Sequence, residues 1–173
     1  MELTGKKLEE ILKAELVGKD VGYSNYTFYY AVNRVIQAVA KDIERDPASF
    51  GVKDYRHNQN TVGITYMGST IGEASFKKQK GKYKYGGYEW TFKDIQVLLY
   101  NESGYSSYNG LTFDEMLTKV YQDNQKAKDK EAQKLEQAKR IFQKIKEELG
   151  TDSNSEVKNF IEYMNSKRYS LYE

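Results

Sequence analysis

The spacing of apolar residues changes twice along this chain, and those changes confine it to an α+β fold. Up to Ile43 apolar side chains recur every three or four positions, and from Val52 to Leu99 every second position. From Phe113 the helical spacing returns. A period of 3.6 buries one stripe of a helix, whereas a period of 2 buries one face of a strand. Leu8, Ile11, Leu12 and Leu16 predict a helix over 4–17, with Thr4 as N-cap, Leu3 and Leu8 as a staple and Gly18 as the stop. Phe28, Val32, Val35, Ile36, Val39 and Ile43 form a longer stripe, so a second helix over 26–44 should lie on the core. Asp46-Pro47 ends it and opens one short turn to Phe50.

Val62, Ile64 and Tyr66 then alternate with Thr61, Gly63 and Thr65. Gly68-Ser69 reads as a hairpin turn, with the returning strand over 70–78. Gln79-Lys80-Gly81 reads as the next reversal, followed by a strand over 82–92 with a bulge or bend at Gly86-Gly87. Tyr88, Trp90 and Phe92 share one face, whereas Ile95, Val97 and Leu99 have the opposite parity. Lys93-Asp94 must therefore be a bulge or a tight turn. Short turns between successive strands give an antiparallel meander of three to five strands.

Thr112-Phe113-Asp114-Glu115 is a capping box, stapled by Leu111 and Met116. The helix it starts can run to Leu149. Phe113, Met116, Leu117, Val120 and Tyr121 can dock on the sheet. Residues 122–134 offer only Ala127 and Ala132, so this stretch is a solvent-bridging helix or a break. Leu135, Ala138, Phe142, Ile145 and Leu149 repeat with the coiled-coil rhythm. Ser153-Asn154-Ser155-Glu156 is a second capping box, and Val157, Phe160, Ile161 and Met164 give a shorter helix one apolar face. The fold expected is α+β: two N-terminal helices, the meander, then a long and a shorter helix forming a C-terminal helical hairpin. The domains expected are an α+β core over 1–121 and the appended hairpin over 122–173. The 135–149 seam can pack on its own chain, giving a monomer, or make a homodimer.

Composition narrows function mainly by exclusion. The 173 residues contain no Cys, so disulfides, thiolate zinc sites and cysteine nucleophiles are excluded. That absence fits a reducing compartment, the cytoplasm of a host cell. No apolar run approaches the roughly 20 residues of a membrane span. The charged stretch Met1 to Glu10 does not read as a signal peptide, and no membrane partner is expected. Neither a Walker A loop nor a dinucleotide glycine fingerprint occurs, and no cofactor or metal is expected. Gly68-Ser69-Thr70-Ile71-Gly72 has a phosphate-loop flavour but joins two strands rather than opening a helix. His57 is the only histidine. It suits a general base assisted by Asp54 or Arg56, or simply a surface loop between helix and sheet.

Binding surfaces are better represented than catalytic ones. Lys77, Lys78, Lys80, Lys82 and Lys84 are interleaved with Tyr83 and Tyr85 and followed by Tyr88 and Trp90. Lysines meet phosphates and aromatic rings stack on bases, so this hairpin suits a polyanion or an acidic partner. The plainer reading is a solvated hairpin tip whose lysines blunt edge-strand aggregation. Tyr23, Tyr26, Tyr29 and Tyr30 are too many rings for one buried stripe, so they pack on the sheet or form a protein-contact patch.

The basic hairpin Lys77 to Trp90, the polar stretch Gln122 to Lys134 and the absence of Cys together resemble, in general style, small accessory proteins of phages and mobile elements of low-GC bacteria, anti-CRISPR inhibitors among them. The resemblance implies a stoichiometric, non-enzymatic inhibitor, phage- or mobile-element-encoded, that occludes a nucleic-acid-handling effector, either a protein or a ribonucleoprotein. It carries over no site residues. Two other functions remain open: direct nucleic-acid binding through the Lys77–Trp90 hairpin, and a small hydrolase or nuclease using His57.

Overall fold

The computed structural model describes residues 3–22, 26–55 and 60–149. His57, Arg56, Tyr23 and the expected second capping box and C-terminal helix lie outside them. The fold is α+β, with three helices and a four-stranded antiparallel sheet in the described residues. The chain divides into two compact units, Met1–Asp123 and Asn124–Glu173.

In the first unit, α1 (Gly5–Leu16) begins where the Thr4 hydroxyl accepts a hydrogen bond from the Lys7 N–H. It buries Leu8, Leu12 and Leu16, while Ile11 sits at the rim, 36% exposed. The apolar stripe is thus narrower than its sequence spacing suggested. α2 (Tyr26–Asp42) buries Phe28, Ala31, Val32, Val35, Ile36, Val39 and Ala40. Asp46 caps the 3-10 turn Pro47–Ser49, and the sheet begins directly after it.

The strands are β1 (Phe50–Asp54), β2 (Thr61–Tyr66), β3 (Ser69–Lys84) and β4 (Gly87–Leu99), paired in chain order. One face of the sheet carries Val62, Ile64, Ile71, Ala74, Phe76, Phe92, Ile95 and Leu99, all buried in one core with α1, α2 and the first turns of α3 (Phe113–Leu149). The capping box at α3 forms as expected. Glu115 accepts from the Thr112 N–H at 2.8 Å, and Thr112 Oγ1 accepts from the Glu115 N–H at 3.2 Å. Phe113, Met116, Leu117 and Val120 are buried, and Tyr121 is exposed. α3 is helical from Phe113 to Leu149, so residues 122–134 do not break it.

Two turns fall elsewhere than the sequence suggested. The β2–β3 reversal is Met67-Gly68, both with positive φ, as a two-residue hairpin matched to strand twist requires. The next reversal is at Tyr85-Gly86, not Gln79-Lys80-Gly81. Gly86 takes φ +101°, while β3 continues past Gly81 to Lys84.

In the second unit, Leu135 and Ala138 are exposed, and Phe142 and Ile145 are half-buried.

Candidate functional site

Beyond Ser75 the β2 partner ends, and β3 and β4 continue alone as a two-stranded ribbon. Such ribbons are marginal without a third strand or a packed face. Here the chain after α1 supports one edge. Val21 N–H donates to the Trp90 carbonyl at 2.7 Å, and Phe92 N–H donates to the Lys19 carbonyl at 3.0 Å. Farther along the same edge, Val97 N–H donates to Glu9 Oε2 at 3.2 Å. The hydrogen bond from Lys13, followed by that from Val97, holds the Glu9 carboxyl below its usual range against the opposing effect of burial. The free edge of β4 is therefore met at Trp90, Phe92 and Val97 rather than left open throughout to another strand.

Two irregularities decide which side chains share a face. Between Phe92 and Ile95, β4 carries an extra residue, and Asp94 sits there at φ 49°. This bulge explains the parity change in the sequence, because it turns both Phe92 and Ile95 into the core. Between Lys80 and Tyr83 it is β3 that carries the extra residue, at Gly81-Lys82. A Cβ on Gly81 would lie 3.3 Å from the Glu89 carbonyl oxygen, so glycine permits the close approach.

The second bulge brings Tyr83 opposite Tyr88. Their rings meet edge to face, with centroids 5.2 Å apart. Lys78 lies opposite Phe92 and Lys80 opposite Trp90. By the period-2 rule these residues prolong the core face of the sheet into solvent. Lys80 Nζ stands 3.5 Å from the centre of the Tyr88 ring. Tyr83 is 69% exposed, Tyr88 49% and Trp90 45%. The opposite face carries Lys77 across from Lys93, together with Lys84. Lys84 is paired with Glu89, which raises its pKa, and Lys77 lies 3.9 Å from Asp94.

All the lysines and tyrosines singled out in the hairpin are exposed: Lys77, Lys78, Lys80, Lys82, Tyr83, Lys84 and Tyr85. Six lysines against Glu89 and Asp94 leave residues 77–94 at +4, while the whole chain is +2. The remainder is thus −2, and positive charge is concentrated on this ribbon. Sequence reasoning placed Tyr88 and Trp90 beside the lysines. It put Tyr88 and Trp90 on one face with Phe92 but did not place Tyr83 there, because that placement depends on the bulge at Gly81.

The tyrosines of α2 divide. Tyr29 donates its hydroxyl to the Val52 carbonyl at 2.9 Å, so it helps fix the helix to β1. Tyr26 and Tyr30 are 59% and 61% exposed, with ring centres 6.2 Å apart.

The outward face of the sheet holds one polar cluster that sequence reasoning missed. Tyr55 and Tyr100 each donate a hydroxyl hydrogen bond to Glu73 Oε1 at 3.1 Å. Tyr55 lies against Gly63, where a Cβ would come within 2.8 Å of its hydroxyl oxygen. Burial, then the charge of Glu73, pushes both phenols above the usual tyrosine range. The three residues lie far apart in sequence, and only strand register brings them together. Among the described residues, no group of three or more His, Cys, Asp or Glu is placed to hold a metal ion. None of the described helices is long and apolar enough to cross a membrane. No known family model, curated protein or solved structure matches the chain.

Proposed function

We propose that this chain is a non-enzymatic interaction protein that engages a nucleic-acid-handling effector, with the outer β3–β4 ribbon as its contact arm. The target in this reading is a ribonucleoprotein, and the arm meets the nucleic acid that it carries. The observation supporting the reading is the +4 charge of residues 77–94 on a ribbon whose lysines are all exposed. The sign of that charge selects the surface. An effector's nucleic-acid channel is itself basic and would repel the ribbon, whereas exposed phosphates would attract it. Binding there would occlude the effector without any chemistry by the chain itself. The exposed rings beside the lysines favour a second reading, direct binding of bare nucleic acid.

Changing Lys78, Lys80 and Lys82 together to Glu tests the arm. Against a fluorescein-labelled mixed-sequence RNA, the wild type should bind with strong salt dependence. The variant should lose at least tenfold in affinity and much of the salt slope. Capture from a bacterial lysate should be weakened by nuclease if the arm grips nucleic acid on its target. Equal affinity and slope for variant and wild type would return the ribbon to a solvated tip.

A further inference from the structure

The two faces of the outer ribbon differ in chemistry, and the difference carries more information than the total charge. A polyanion recognised by charge alone needs lysines and no rings. The Lys77–Lys93–Lys84 face fits that description. The other face does not. It presents Tyr83, Tyr88 and Trp90 together with Lys78 and Lys80, and all three rings are exposed. Rings that stay 45–69% exposed bring only part of their area to the fold, and a cluster of them on one surface marks an interaction site more often than a structural need. The bulge at Gly81-Lys82 is what gathers the rings. Without it, Tyr83 would fall on the lysine face and Lys82 on the aromatic one.

We infer that this aromatic face takes the unpaired bases of single-stranded nucleic acid, with Tyr83 and Trp90 as stacking platforms and Tyr88 as the support between them. The inference rests on the proposed polyanion-binding role and names its ligand. Tyr88 is the support because its ring is already engaged on two sides, by the edge-to-face contact with Tyr83 and by the Lys80 ammonium. Lys80 and Lys78 stand beside the platforms, where phosphates flanking a stacked base would lie. Duplex nucleic acid keeps its bases stacked on one another and offers these rings nothing. Every base has a π-face, so recognition would be tolerant of sequence.

Trp90 is the only tryptophan of the chain, so its fluorescence reports directly on this face. The test titrates the full chain with a 20-nucleotide oligothymidylate, a 20-base-pair duplex and heparin, a polyanion without bases. The single strand should quench Trp90 and bind at least tenfold tighter than the duplex. Heparin should bind without that quench. Tyr83→Ala should lower single-strand affinity about fivefold or more, as loss of one stacked base does, while leaving heparin binding unchanged. Gly81→Val, which crowds the bulge, should do the same with the lysines intact, and circular dichroism should show both variants folded. Duplex or heparin binding as tight as the single strand, with Tyr83→Ala neutral, would overturn the stacking inference and leave the polyanion reading standing. No binding to any of the three would overturn both.

Discussion

The inner and outer halves of the β3–β4 hairpin are continuous strands with opposite fates. In the inner half, Phe76 and Phe92 pack at 4.9 Å against each other and at 4.6 and 6.0 Å against Phe28. In the outer half, the same face carries Trp90, Tyr88 and Tyr83 into solvent. Alternation is therefore not by itself a sign of burial. It reports that a strand has two faces, and whether one is covered depends on how far the helices reach. The core ends between Phe92 and Trp90, two positions apart on one strand.

The sharpest way to break that comparison is to truncate on either side of the boundary. Phe92→Ala should cost about 3–5 kcal/mol, because Phe92 is fully buried and its loss leaves a cavity beneath Phe28 and Phe76. Trp90→Ala should cost only about 1 kcal/mol, since nearly half of that side chain is already in water. Urea unfolding followed by circular dichroism reads both. Equal losses would mean that the outer half belongs to the core, and the binding arm would lose its physical basis.

A smaller effect is expected at the junction itself. Asp94 holds a left-handed backbone conformation that lets Phe92 and Ile95 both face inward. A β-branched residue is strained there, so Asp94→Val should destabilise by about 1–3 kcal/mol. Asp94→Gly should be neutral within about 0.5 kcal/mol, because the exposed Lys77 partner at 3.9 Å contributes little. If Gly and Val cost the same, the ion pair rather than the bulge ties the halves together.

Much of the core that packs against the inner half was legible in the sequence. The stripes of α1 and α2, the Thr112 capping box and the alternation of Val62, Ile64 and Tyr66 are local patterns, and each produced the element expected. The parity change at Lys93-Asp94 also announced a bulge or turn correctly. The reversal after β3 was misplaced because Gly81 and Gly86 look alike as letters. Only cross-strand contact distinguishes a glycine that lets Glu89 approach from one that turns the chain. The same limit applied to the candidate site. Its lysines and rings were visible as a cluster, but their division between faces is set by register. The Glu73 cluster was invisible because its three members come from separate segments.

That cluster gives the smallest expected effect, and it belongs to the inner half alone. Tyr55 and Tyr100 are pushed above the usual tyrosine range, first by burial and then by the Glu73 carboxylate. In the unfolded chain both ionise near pH 10. Between that value and the raised folded ones, the native state holds more protons than the unfolded state, so stability falls as pH rises. The contribution is fully present below about pH 10 and is lost through the alkaline range above it. A thermal-melt series should thus be level from neutral pH to about 9.5 and decline beyond about 10. Tyr100→Phe should make that decline shallower, since one of the two titrating groups is gone. Glu73→Gln keeps an acceptor for both hydroxyls but removes the charge. It should reduce the decline without abolishing it, because burial, the larger cause, remains. An alkaline limb unchanged by either substitution would show that the cluster does not titrate with unfolding and that the outward face of the inner sheet opens before its core does.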